Sequence, residues 1–560
     1  MTPNAPTPAA APAAAHAAAP SQPAVAPPAA GQPVAAARRT IPCRNPATGE
    51  LLGEVPAMDA AEVKQRLERA RRAQRAFAET SFAARRAVLQ ALLTRILDSA
   101  DEICRLVSAE AGKTLQSAMM GEIFPVCEKL RYTIGSGEDA LSTERVPSGL
   151  LMHKAARIEY HPLGVIGVIS PWNFPFQNIL GPTIPALFAG NAVLCKVSEW
   201  SSYSAAFVQR MFDEVLSSLG HSPDLFQIVT GYGDTGAALV RSGVDKIVFT
   251  GSVGNGRRVV EGSAERLTPV IMELGGKDPV IVCDDAHLEQ AVAGAMAGVF
   301  ICSGQMCLAG ERVYVMDGIY DRFVEAVVRE AGPLRQGDPL GGSGADVDVG
   351  AMTMPHQVDI VERLVNDAIS RGARALVGGK RGPGPGWFFQ PTVLVDVTHD
   401  MAITREEAFG PVLCILRAPN DDEAVVRLAN DSCFGLGSTV FTQDPARARR
   451  IARGLVAGST GINDYGLTYM VQALPFGGVK DSGFGRLNGR EGLRAMCNTK
   501  SVIDDRLPFL HIPSKIYPVK PGDYETVRAA INLIYRPLNA SGLRARGAAL
   551  FELAKQALRR

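Results

Sequence analysis

Four side chains in this sequence stand in local settings that could serve covalent chemistry at a carbonyl carbon. Two are cysteines, Cys302 and Cys307, in the stretch FICSGQMCLAGERVYV, residues 300–315. A cysteine attacks through its thiolate, and an unperturbed pKa of about 8.5 leaves a few per cent ionised near neutrality. Buried cysteines are more often small core hydrophobes, so residue type alone does not separate the two. The third is Asn173, in SPWNFPFQN, between aromatic and proline residues that fix its backbone. A rigidly held primary amide is a good donor to an oxyanion, and is otherwise an ordinary turn residue. The fourth is Glu273, in MELGGKDPV, followed by two glycines. A backbone without bulky side chains lets a carboxylate approach a reacting centre, and the ordinary alternative is a surface acid.

Glycine-rich turns supply a second kind of chemistry. GYGDTG, beginning at Gly231, matches G-x-G-x-x-G after a strand pattern and before a helix pattern. Taken alone it is also a tight turn with no ligand. FTGSVGNG places Gly251, Ser252, Gly254 and Gly256 where a strand enters a helix. Free N–H groups at a helix start, with no Cβ in the way, suit a pyrophosphate. NAVLCKVSE carries Lys196 and Glu199 at its end. A carboxylate there accepts from ribose hydroxyls and repels a 2′-phosphate, which favours NAD over NADP. A solvated surface pair is the alternative.

Alternating elements must position these residues. From Asp59 to Glu122 apolar residues recur at helical spacing. IEYHPLGVIGVI reads as strand, turn, strand. The strands NAVLCKV, LFQIVTG, KIVFTG and PVIMELGG then alternate with helical runs, the pattern of a parallel, doubly wound sheet. A second α/β stretch runs from about Leu288 to Gly458. The 560 residues are too many for one core. A formal net charge of +1 gives no footprint for nucleic acid. The ten cysteines show no CxxC or His/Cys cluster, so the sequence predicts no metal site and reduced thiols in a cytoplasmic protein. Residues 1–38, rich in Ala and Pro, read as a disordered tail, and no apolar run is long enough to cross a bilayer.

PWNFP, KVSE, FTGS, MELGGK, GQMC, EEAFGPV and PFGGVKDSGFGR stand in this order in the chain, with RNPATGE and EAGKT before them. Together they resemble the NAD(P)-dependent aldehyde dehydrogenase superfamily over roughly 42–504. The overall look is most similar to a branch with C-terminally extended plant and fungal members. The resemblance implies an α/β fold: a doubly wound Rossmann-type cofactor domain at 41–143 and 163–272, and an α/β catalytic domain at 273–475. A small β oligomerisation element would combine 144–162 with 491–505, ahead of a C-terminal extension at 506–560. It implies Cys307 as nucleophile, Asn173 as oxyanion amide with the Cys307 N–H, and Glu273 as general base. Lys196 and Glu199 become adenosine-ribose contacts, Gly251 and Ser252 pyrophosphate contacts, Glu407 and Phe409 contacts on the nicotinamide side, and Trp172 a further cofactor contact. Gly231 is also placed on the cofactor, though not as the main phosphate loop. The implied reaction is NAD-dependent oxidation of a small-molecule aldehyde to an acid by a homodimer or homotetramer. The alternatives are CoA-acylating oxidation and a noncatalytic NAD-binding scaffold.

Three positions depart from the family pattern: Cys302 where Asn is common, Pro182 where Lys is common, and Leu487 where Glu is common. Cys302 and Cys307 also raise the expectation of a reversible disulfide. Near the end, SGLRARGAALFELAKQALRR reads as a basic amphipathic helix with Leu543, Leu550, Phe551, Ala554 and Leu558 on one side. It is either a peripheral membrane contact or packed against the subunit or its partner.

Overall fold

The computed structural model describes residues 39–342, 346–507, 509 and 517–558. The expected tail at 1–38 lies outside the described residues. The helical run begins at Ala60–Ala78, where Asp59 and Glu62 form a reciprocal capping box. It continues through Phe82–Asp98, capped by Ser81, and Ala100–Ala111.

The first sheet has the spatial order Gly483–Phe484, Val270–Leu274, Lys246–Gly251, Val165–Ser170, Ala192–Val197, Phe226–Val229. The last five run parallel, and Gly483–Phe484 joins antiparallel. Ala192–Val197 is buried at every position, as expected for a parallel strand covered on both faces. Of the parallel strands, Val165–Ser170 comes first in the chain. The next two strands are added on one side of it and the following two on the other. The order therefore reverses between Val165–Ser170 and Lys246–Gly251, which opens a crevice beyond their carboxyl ends. Strand residues such as Ile166, Val193 and Ile247 pack with Leu92, Phe188 and Phe212 of the surrounding helices into one core.

The chain passes through Gly275–Asp278 into a second sheet. Its order is Arg374–Val377, Thr392–Val395, Val412–Ala418, Arg312–Met316, Pro279–Val282, Thr439–Phe441, Gly461–Ile462. All neighbours are parallel except Arg374–Val377, which is antiparallel to Thr392–Val395. A third, antiparallel sheet joins Cys497–Asp505, Lys154–Pro162 and Glu144–Val146 in that order.

After it, helices Asp523–Tyr535 and Ala540–Leu558 pack on each other. Their buried positions are small or polar: Ala529, Gly542, Ala549 and Gln556. Leu543, Leu550, Phe551, Ala554 and Leu558 all face solvent. Among the described residues, no helix is long and apolar enough to cross a membrane.

Candidate active site

Trp172 and Asn173 follow the end of Val165–Ser170, and Ser252 follows the end of Lys246–Gly251, on the two walls of the crevice. Glu273 sits in the neighbouring strand Val270–Leu274. Cys307 comes from the second sheet's side, in the turn between helix Leu288–Phe300 and strand Arg312–Met316.

That turn is strained. Cys302, Ser303 and Gly304 all have positive φ, 52°, 55° and 73°. For a residue with a Cβ this conformation costs roughly 1–2 kcal/mol. The surroundings fix it. Ser303 Oγ donates to Gly350 O at 3.0 Å, and Gln305 Nε2 donates to Cys302 O at 3.2 Å. Thr353 N–H donates to Gln305 Oε1 at 2.9 Å. A Cβ on Gly304 would strike the Gly410 carbonyl. The outcome separates the two cysteines. Cys302 is buried beside the Lys113 ammonium and the Ser117 hydroxyl. Cys307 stays half-buried and meets Glu273. Both are free thiols with different partners. Asn tolerates the left-handed region better than Cys does, which fits the Asn that the family resemblance implies at position 302.

Glu273 is buried, and its Oε1 has no hydrogen-bond partner among the described residues. Burial pushes its carboxyl up to about 7, while the Cys307 thiol and Thr250 act in the opposite direction. Burial and then the Glu273 carboxylate push the Cys307 thiol well above its ordinary value. A carboxyl poised near neutrality beside a thiol can exchange a proton with it at working pH. Burial and then Glu311 push Glu407 up to about 8, and burial pushes Asp278 up to about 7.

The glycine pair after Glu273 is required by close approach. Gly276 N–H donates to Glu407 Oε1 at 3.0 Å. A Cβ on Gly275 would strike the Glu407 carboxylate, and one on Gly276 would strike the Cys307 carbonyl. Glu407, Glu273 and Cys307 therefore converge only because two side chains are missing.

Asn173 is held at every polar atom of its side chain and at its carbonyl. Its Nδ2 donates to Gln305 O at 3.0 Å, and its Oδ1 accepts from Asn178 Nδ2 at 3.1 Å. Its backbone carbonyl accepts from Lys113 Nζ at 2.7 Å. Lys113 is ion-paired to Glu122 at 2.7 Å, with both side chains buried. Glu122 Oε2 also accepts from the N–H groups of Phe176 and Gln177, at 3.1 and 2.8 Å, which start helix Gln177–Phe188. Glu122 reaches them from a π-helical turn, Met119–Ile123, a distortion often found at functional sites. Sequence reasoning misses Lys113, Glu122, Asn178 and Gln305. The quoted motifs contain three of them, EAGKT with Lys113, GQMC with Gln305 and SPWNFPFQN with Asn178, but give none of them a role.

The remaining residues line the carboxyl rim of the first sheet and the mouth beside it. Lys196 Nζ lies 3.9 Å from Glu199, in the turn just past strand Ala192–Val197. Gly231 follows the next strand over, Phe226–Val229. Ser252 starts helix Val253–Ala264, and its side chain makes no capping hydrogen bond. Trp172 meets Phe409 edge to face, with centroids 5.6 Å apart. Phe409 has φ 50°, and its N–H and that of Ala408 donate to Glu311, which is ion-paired to Lys277. Among the described residues, no His/Cys/Asp/Glu group could hold a metal ion.

The chain is similar to known proteins over most of its length. The model of the aldehyde dehydrogenase family matches residues 34–502. An aldehyde dehydrogenase-like protein of Schizosaccharomyces pombe is 38% identical over 507 residues, covering 89% of this chain and 96% of the relative. A 4,4′-diapolycopene aldehyde oxidase of Methylomonas is 38% identical over 504 residues, covering 89% and 91%. The NAD+ complex of an aldehyde dehydrogenase from Bacillus cereus superposes with a TM-score of 0.79 at 32% identity, covering 84% of this chain and 94% of that one.

Proposed function

The chain belongs to the aldehyde dehydrogenase family, and from that premise we propose that it oxidises an aldehyde to a carboxylic acid with NAD, through Cys307. The observation that carries this reading is the buried Glu273 carboxyl beside the Cys307 thiol. Glu273 takes the thiol proton, and the sulfur attacks the carbonyl carbon. The C–S bond forms as the carbonyl π pair moves onto oxygen, where the Asn173 amide donates to it. Bound NAD supplies a hydride acceptor. Loss of hydride leaves a thioester on Cys307. Glu273 passes the first proton to solvent and, as a carboxylate again, takes a proton from water, whose oxygen attacks the thioester. The C–S bond breaks, the thiol is restored and the acid leaves.

The residues present suit NAD. Ser252 leaves the amides of a helix start uncapped by its side chain, as a pyrophosphate needs. Lys196 and Glu199 are placed for ribose hydroxyls, with Gly231 one strand over, and Glu199 disfavours a 2′-phosphate. Glu407 and Phe409 are assigned to the nicotinamide side, and Trp172 is a further cofactor contact. Glu273 supports hydrolysis of the thioester over its transfer to CoA.

Glu273→Gln is the test. Its first-turnover release of NADH should slow, because the Cys307 thiol has lost the base beside it. Steady-state turnover should fall on the order of 10²–10⁴-fold, because a general base has been removed. Only the carboxylate form accepts a proton, so wild-type steady-state turnover should decline as pH drops through about 7. Normal steady-state rates in the variant would overturn the assignment of the base.

The outer edge of strand Cys497–Asp505 has no strand partner among the described residues. This supports a subunit contact there, as a homodimer or homotetramer. The outward apolar residues of helix Ala540–Leu558, on a hairpin where Arg528, Arg536, Arg544, Arg546 and Lys555 outnumber the acids, support a peripheral membrane contact. Light scattering should report the same oligomer for the full chain and for a truncation after Asp505. Only the full chain should cosediment with anionic vesicles. Equal cosedimentation, or a truncation that is monomeric, would remove the corresponding part.

A further inference from the structure

We infer that Asn178 is a positioning residue that fixes which end of the Asn173 amide faces the reacting carbonyl. The inference rests on the oxyanion role proposed for Asn173. A primary amide has two chemically opposite ends, and only the Nδ2 end can stabilise a negative oxygen. Two contacts orient the Asn173 amide. Gln305 O is an acceptor only and takes one Nδ2 hydrogen at 3.0 Å. Asn178 Nδ2 donates to Oδ1 at 3.1 Å. Nδ2 carries two hydrogens, so one remains for a substrate oxygen, and Oδ1 is occupied by a donor that keeps it turned away.

Asn178 can do this because its own element is rigid. It lies in the first turn of helix Gln177–Phe188, whose starting N–H groups are held by the Glu122 carboxylate. A negative group at that end also suits the helix dipole. Asn178 is half-buried, so its side chain borders the space beside Asn173 without being sealed into the core. The contact is specific in sign. An aspartate at 178 is nearly the same shape but offers only acceptors when ionised. It would repel Oδ1 and draw Nδ2 toward itself, turning the amide the wrong way. An alanine would simply remove the donor, and water can partly replace it.

The test compares Asn178→Ala, Asn178→Asp and Asn173→Ala in the full-length enzyme. The readouts are kcat and KM for one aldehyde, the rate of Cys307 alkylation by iodoacetamide, and the melting temperature. Asn173→Ala should lower kcat on the order of 10²-fold, as for loss of an oxyanion donor. Asn178→Asp should approach that loss, and Asn178→Ala should lose roughly fivefold, the worth of one neutral hydrogen bond. In both Asn178 variants, KM, alkylation rate and melting temperature should stay at wild-type values. A loss in Asn173→Ala with a wild-type kcat in Asn178→Asp overturns the role of Asn178 alone. Parallel losses in alkylation rate and melting temperature also overturn it, in favour of a merely structural contact. A wild-type kcat in Asn173→Ala overturns the oxyanion reading on which the inference stands.

Discussion

Replacing Cys307 with alanine is expected to abolish aldehyde-dependent NADH formation, including the first-turnover burst, by at least on the order of a thousand-fold. The size follows from the chemistry: without sulfur there is no covalent adduct from which hydride can leave, and no other side chain of this pocket is a comparable nucleophile. Glu273, Glu407 and Asp278 are acids, held by burial near or above neutrality. The adjacent thiol cannot substitute. Cys302 is buried, with Lys113 and Ser117 as its neighbours, on a turn whose conformation is fixed by Ser303 and Gln305. The paired variant Cys302→Asn places a residue that accepts positive φ at the strained position, so it should fold normally and keep turnover. Rates with a panel of aldehydes, measured as NADH fluorescence in both variants, make the comparison. A burst surviving in Cys307→Ala would move the nucleophile elsewhere.

Glu122→Ala is expected to be the most destabilising single change near the site. Lys113 and Glu122 are both essentially excluded from water and 2.7 Å apart. Removing one member of such a pair leaves an uncompensated buried charge, a cost of about 3–5 kcal/mol. Glu122 also satisfies two backbone N–H groups at a helix start, so alanine leaves those donors without their acceptor. Denaturant unfolding measures the loss. The double variant Lys113→Met with Glu122→Met removes both charges and should recover much of the stability. It should not recover kcat, because the Asn173 carbonyl still lacks its Lys113 donor. A single Glu122→Ala chain as stable as wild type would mean that the pair contributes little. A double variant with full kcat would mean that the Lys113 contact does not hold the amide loop in place.

The strands and their alternation with helices were legible in the chain alone, because fully apolar runs such as Ala192–Val197 have few ways to be buried other than inside a covered parallel sheet. So were the pieces that do chemistry. Asn173, Glu273 and Cys307 each sit in a short local pattern, and local patterns survive in one dimension. The glycines after Glu273 were legible as a gap in the backbone. What filled that gap, the Glu407 carboxylate on one side and the Cys307 carbonyl on the other, was not.

Choosing between neighbours took the folded chain. Cys302 and Cys307 are the same residue type in one short stretch, and the left-handed turn that begins at Cys302 decides which one is sealed. Lys113 lies 60 residues from the carbonyl it holds, so its own segment does not say what the lysine meets. The return of Gly483–Phe484 to pair beside Glu273 is likewise a long-range event. In the last helix the residue pattern defines an apolar side, and the folded chain buries Gly542, Ala549 and Gln556 and leaves that side outward. Residue type and spacing set what each group can do. Which groups meet depends on chain segments far apart in sequence closing on one another, and burial at those meetings then sets the protonation of Glu273 and Cys307.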